Sequence, residues 1–216
     1  MSALIRIGQK YDMTTILHHA VAFLKSYYTD DFDIWQKRSG KLVPPGFEDA
    51  HVVGVVNLAH FVGEPSILPT AILACCMLED IAVGFDREDG TRERLSYDDI
   101  SRCWIARRRL AEIGMAVTAK ISTSPRCEKE CRHLMQVNAK SYIIPKTPSP
   151  AMDDPFRPRV EIYNHYTQNY EPLCQPCEDS SRPGQLKESR TNWSSLPALT
   201  GCSDLLASGW GEPRSA

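Results

Sequence analysis

The distribution of proline constrains this chain more than any other feature. Eight of its fifteen prolines fall between Pro145 and Pro183, and inside a helix each one removes a hydrogen bond and introduces a clash. No helix is expected to persist across that stretch, which reads as a loop or linker. Secondary structure is therefore expected mainly before residue 144 and again after residue 185.

Hydrophobic spacing fills in the first of those regions with helices. Leu4 to Lys10 reads as a short apolar helix. After it Ile16, Leu17, Ala20, Phe23, Leu24 and Tyr27 recur at the three-to-four spacing of one helical face, with His18, His19 and Lys25 opposite. Asp12 or Thr14 is the expected cap. Residues 37–46 read as an exposed loop. Four valines between Ala50 and Val62 favour a strand, yet Val53, Val56, Asn57 and His60 also fit helical spacing, and a helix stopped by Gly63 is predicted. Pro65 then opens a helix that turns Leu68, Ile72, Cys75, Cys76 and Met77 inward.

Gly84 to Arg94 is a charged turn. Ser96-Tyr97-Asp98-Asp99 makes a capping box with Asp in place of Glu or Gln. It starts a long helix whose expected buried face is Ile100, Cys103, Trp104, Leu110, Val117 and Ile121, ended by Pro125. Cys127 to Ile143 reads as another helix and Leu186 to Leu196 as a short last one. Residues 201–216 are expected to be disordered.

Hydrophobic residues make up 42% of the chain, enough for a core, and a net charge of −2 gives no global argument for nucleic acid or an anionic membrane. The longest apolar run, Ile67 to Leu78, is far short of the roughly 20 residues that span a bilayer. Without a secretory signal pattern at Met1 to Arg6, an intracellular protein, cytoplasmic or nuclear, is expected. The sequon at Asn192 then carries no weight. Eight cysteines in a reducing compartment point to free thiols or metal ligands.

Two cysteine pairs have metal-ligand spacing. Cys127 and Cys131 are four apart, which on a helix places both on one face. Cys174 and Cys177 have the two-residue gap common in zinc sites. Together they would supply four thiolates to one structural zinc, clipping the proline-rich excursion, with His133 and His165 as substitutes. The plain alternative is four buried thiols. Cys75-Cys76 lies in an apolar helix without basic neighbours and is expected to be inert. Arg107-Arg108-Arg109 reads as a solvated helix face, and Asp30-Asp31-Phe32-Asp33 as a charged loop at a helix end. His18, His19 and His51 have no spaced partners. No phosphate loop, nucleophile elbow or HExxH motif is present, so a non-enzymatic protein is expected.

Ile5-Arg6-Ile7-Gly8-Gln9-Lys10-Tyr11-Asp12, followed by Leu17, Ala20 and Phe23-Leu24, resembles the last two helices of a BTB/POZ domain. Further on, Tyr27 to Phe32, Val55 to Ala59, Gly63 to Ala71, Gly84-Phe85 with Arg87 to Thr91, Leu173-Cys174 with Cys177, and Trp193 with Leu196-Pro197 are similar to fungal BTB-domain-containing proteins. The resemblance spans roughly residues 4 to 200. It implies residues 1–35 as the end of a BTB domain, 36–143 as a helical domain, 144–185 as the proline-rich loop with a cysteine pair, 186–200 as a short helix and 201–216 as a tail. The strand-containing first half of a BTB domain does not precede Met1, so a truncated gene product is expected.

The expected fold is mainly α, a bundle-like helical array with a proline-rich loop and a zinc-clipped C-terminal segment. The expected function is a protein-interaction or adaptor protein, with self or other proteins as partners and neither nucleic acid nor membrane. The interaction face is placed on Ile16, Ala20, Phe23, Leu24 and Tyr27, whose stripe would lack its BTB cover. The rival readings are a zinc-stabilised nucleic-acid or transcription-associated module using Arg107 to Arg109 with Lys120 and Arg126, and a fragment without autonomous function.

Overall fold

The computed structural model describes residues 2–38, 43–122, 154–156, 161–164, 169–172, 174–206 and 210. Among them the chain is mainly α, with two short antiparallel hairpins. The predicted helix at 127–143 lies outside the described residues, but the tail predicted to be disordered over 201–216 is described at 201–206 and 210, where Ser203–Leu205 form a 3-10 turn and Cys202 is 1% exposed. Two compact units are formed, residues 1–108 with 194–216, and residues 109–193.

The first unit is built on helices α1 (Ser2–Lys10), α2 (Thr14–Tyr27), α3 (Phe32–Gln36), α4 (Val52–Val62) and α5 (Leu68–Cys76). Neither predicted cap of α2 is used. Asp12 instead takes a left-handed φ of 52°, and Met13, which donates its N–H to the Gly8 carbonyl at 2.7 Å, occupies the N-cap position. Asp31 has a clear local job: its carboxylate accepts from the Asp33 and Ile34 N–H groups at 2.8 and 3.0 Å and caps α3. The helix predicted over the valine-rich stretch is present as α4. Gly63 ends it at φ 65°, with its N–H closing on the last turn.

All nine residues of α5 are buried, and seven of the eleven in α4. A helix that is apolar on every side belongs in the middle of a unit. Around these two helices lie Ile5, Leu24, Tyr28 and Ile67, each no more than 1% exposed.

The charged turn holds a hairpin of β1 (Phe85–Asp86) and β2 (Arg92–Glu93). Gly84 precedes it at φ 70°, where a Cβ would come within 1.9 Å of the Glu93 carbonyl oxygen. Only glycine fits there. The Glu93 side chain, buried among its neighbours, receives Arg6 at 3.1 Å and Asn57 at 3.0 Å, and Arg87 lies 3.5 Å from its second oxygen. A carboxylate taken out of water needs such partners. It ties α1 and α4 to the hairpin.

Helix α6 (Tyr97–Ser122) follows, starting on the predicted capping serine: the Asp99 N–H donates to Ser96 Oγ at 3.1 Å. Its buried face is Asp99, Cys103, Ala106, Leu110, Gly114 and Val117. This corrects the predicted face in one important place. Cys103, Leu110 and Val117 are inside, but Trp104 is 62% exposed. The three-to-four spacing admits two stripes here, and the one with the small residues Ala106 and Gly114 is the one that packs.

In the second unit, β3 (Glu161–Asn164) pairs with β4 (Asn169–Pro172). Phe156 meets the Trp193 indole edge-on, with ring centroids 5.3 Å apart. Helix α7 runs Gln175–Ser194, with Pro183 inside it. It thus begins eleven residues before the predicted start at Leu186, within the stretch where proline was taken to forbid a helix. Pro176 sits in the first turn, where its missing N–H costs little. The loss at Pro183 is offset by one stripe of buried residues, Gln185, Ser189 and Trp193. The Glu178–Arg182 pair at 2.8 Å adds a small contribution on the exposed side. Helix α8 (Leu196–Leu199), in the first unit, buries Leu196 and Pro197.

Candidate functional site

The predicted interaction stripe on α2 is largely spent inside the first unit. Ala20 and Leu24 are buried at 5% and 1% exposure, so these two residues are core and not a free surface. Ile16 and Tyr27 are half-buried, and the Tyr27 hydroxyl donates to the Val43 carbonyl at 2.5 Å. Phe23 alone faces outward among the five. The cover that the stripe was expected to lack is supplied by the chain itself, because α1, the turn at Pro65–Ile67 and the segment after α2 pack against α2.

Of the predicted zinc ligands, Cys127 and Cys131 lie outside the described residues. Cys174 is exposed and Cys177 buried. Among the described residues no group of three or more Cys, His, Asp or Glu side chains is arranged to hold a metal ion.

The structure draws attention instead to α6, on its outer face, at its first turn and along its inner face. The outer face lies opposite the buried stripe and carries Tyr97, Ser101, Trp104, Ile105 and Arg108. Tyr97 is 91% exposed, Trp104 62% and Ile105 47%. Tyr97 and Trp104 are seven residues apart, hence two turns along one line of the helix. The Arg107 guanidinium approaches the Trp104 ring at 5.9 Å. Arg107 is not part of a solvated basic run: its Nε donates to the Cys76 carbonyl at 2.8 Å and its Nη2 to the Leu78 carbonyl. It thereby satisfies carbonyls at the C-terminal end of α5.

At the first turn of α6, Asn57, His60, Ser96, Asp98, Asp99 and Arg102 line an open cleft of about 400 Å³. Asp99 is its hub. It accepts from Ser96 Oγ at 2.6 Å and from Arg102 Nη1 at 2.7 Å, and His60 Nε2 lies 3.2 Å away. Burial alone would raise its pKa, but the Ser96 and Arg102 hydrogen bonds and the neighbouring His60 outweigh this and hold the carboxyl below its ordinary value. The Ser96 hydroxyl points its proton at Asp99 and not at the imidazole. The three groups are therefore linked in an order that activates neither a nucleophile nor a general base. They fix the start of α6. Arg102 reaches the carboxylate by local i,i+3 helix spacing, whereas His60, 39 positions away, is brought to it only by the fold.

On the inner face, the buried thiol of Cys76 in α5 donates to the Cys103 carbonyl of α6 at 3.5 Å. The expectation that Cys75-Cys76 lacks basic neighbours does not survive, because Arg107 is brought beside Cys76 by α6. Among the described residues no helix is long and apolar enough to cross a membrane. Compared with known protein families, with curated proteins and with solved structures, the chain matches none.

Proposed function

We propose that the chain is a non-enzymatic protein-interaction module of the BTB-associated adaptor kind, which engages partner proteins through the outer face of α6. The observation that carries this reading is the exposed pair Tyr97 and Trp104 on the side of the helix opposite its core. Tyrosine, tryptophan and arginine dominate the energetics of protein interfaces because they bury large areas and retain a polar handle. A tryptophan left mostly in water on a rigid helix is a ready anchor for an apolar partner pocket. The same class is what the resemblance read from residues 4 to 200 implies.

The test compares the wild-type chain with Trp104→Ala and Tyr97→Ala in proximity labelling and affinity capture. Partners held by the wild type are expected to be lost from Trp104→Ala while its thermal unfolding stays unchanged. Full retention of every partner by both variants overturns the reading. The same protein in a salt series with duplex DNA tests the nucleic-acid rival, which requires binding that falls steeply as salt rises. Arg107 is a poor member of such a patch, being engaged with two carbonyls of the chain.

The structural zinc at Cys127, Cys131, Cys174 and Cys177 is kept as part of the proposal. Mass spectrometry of the native chain is expected to show one zinc per molecule. A metal-free protein with unchanged stability in Cys174→Ser removes it.

A further inference from the structure

Tyr97, Ser101, Trp104 and Arg108 form a line along the outer face of α6 within the first unit, and all four are exposed. Their spacing is four, three, four, so the line reads the same from either end, with its midpoint between Arg102 and Cys103. At 3.6 residues per turn the four positions stay within about 60° of one another and cover about 16 Å of helix. Two such helices laid antiparallel about a two-fold axis at that midpoint set Tyr97 level with Arg108 of the second copy, and Trp104 level with its Ser101. Each pairing is complementary. A guanidinium meets the negative face of a tyrosine ring, and the small serine leaves room beside it for an indole. Ile105, 47% exposed on the flank of the line, comes next to Ile105 of the second copy across the axis and widens the apolar part. The two Arg108 side chains lie at opposite ends of the contact, about 16 Å apart. A parallel pairing would bring these like charges side by side.

We propose that this face is a self-association surface, on which two copies of the chain pair through antiparallel α6 helices in an isologous two-fold contact. The inference rests on the reading of the outer face of α6 as a binding surface and names a second copy of the chain as its occupant. It uses none of residues 1–35, the part compared with the end of a BTB domain. Four residues and the flanking Ile105 on each copy make a contact smaller than the roughly 800 Å² per partner of a standard stable interface. The pairing is therefore weak, with a Kd on the order of 10–100 µM. Dilute protein is monomeric, and the dimer forms where the chain is locally concentrated.

The test is sedimentation equilibrium of the full chain over about 1–500 µM, a range that brackets this affinity. The weight-average mass is expected to rise from one chain toward two. Hydroxyl-radical footprinting of the same samples should show Tyr97 and Trp104 losing reactivity as the concentration rises. Trp104→Ala and Ser101→Arg, both at exposed positions, are expected to weaken self-association about ten-fold or more with thermal unfolding unchanged. Tyr97→Arg alone sets a cation against Arg108 of the second copy and should weaken it too. Tyr97→Arg with Arg108→Tyr in the same chain should restore it, because the antiparallel order remakes both ring–cation pairs. The wild-type mass and footprint decide alone if a variant fails to fold. A wild-type chain that stays monomeric at the top of the range overturns the inference, as does a dimer in which Tyr97 and Trp104 keep full reactivity. If the chain is monomeric and Trp104→Ala still loses another protein in affinity capture, self-association fails and the binding reading of the face stands. If dimer and captured partners both survive Trp104→Ala, both fail.

Discussion

Helix α5 and the first half of α6, residues 97–108, lie in the same unit but solve different problems. In α5 no residue faces water, so its sequence is free of charge and its side chains serve packing alone. In α6 the buried line includes the charged Asp99 and the small Ala106, while the largest aromatic side chains, Tyr97 and Trp104, stand outside. Apolar content alone would have placed Trp104 inward, ahead of Ala106. What separates the two helices is how much of each is covered: α5 is enclosed on all sides, whereas α6 buries one stripe and leaves the opposite face to solvent. Bulk left on the outside of such a helix is available for another molecule.

The strongest way to break this comparison is to remove bulk from α5. Ile72 is fully buried, and Ile72→Ala is expected to cost about 2–5 kcal/mol, because the transfer term is joined by a cavity that close-packed neighbours cannot fill. Urea unfolding should show the midpoint falling with little change in slope. A loss under roughly 1 kcal/mol, small for a large-to-small core substitution, would mean that α5 is not the enclosed helix described here.

Asp99 sharpens the contrast on α6, since it is the charge that this helix buries. Asp99→Ala leaves Ser96, Arg102 and His60 without their common acceptor and is expected to cost about 1–3 kcal/mol. The pH dependence has a definite sign. The folded-state pKa of Asp99 is lowered relative to the unfolded chain, so its contribution is fully present above the unfolded value, near 4 for an aspartate. It is lost as pH falls from there through the folded value. Thermal melts between neutral pH and that range should therefore show a smaller acid-induced drop in Asp99→Asn than in the wild type. Equal drops would assign the acid sensitivity to other carboxylates.

Local signals in the sequence were enough for the helices of the first unit. Gly63 as a stop and Ser96 as a cap each act within one turn and stand where the spacing predicted them, while Pro65 opens a 3-10 turn, Pro65–Ile67, that leads into α5. Signals that depend on a distant partner were not legible. The stripe on α2 was visible, but not that Ala20 and Leu24 are covered by the chain itself. Pro183 was read as a barrier because its missing hydrogen bond is local, while the burial of Gln185, Ser189 and Trp193 that outweighs it is tertiary. The candidate site suffered most. Cys75-Cys76 and Cys103 are 27 or more positions apart, and nothing in their spacing announces that α6 lays Arg107 and Cys103 against α5.

The finest test uses two residues of α6 on opposite sides. Leu110 is 1% exposed and Trp104 62%, so Leu110→Ala is expected to destabilise in the core range of about 2–5 kcal/mol. Trp104→Ala gives up only its exposed packing and the contact with Arg107, an exposed cation–π pair of about 0.5–1 kcal/mol. Chemical unfolding of the two variants side by side should rank them in that order, with Trp104→Ala within about 1 kcal/mol of wild type. If Trp104→Ala destabilises as much as Leu110→Ala, the indole supports the fold and its exposure no longer argues for a partner. If it leaves stability alone and abolishes partner capture, the outer face of α6 is maintained for binding, since packing within the chain gives no reason for a tryptophan there.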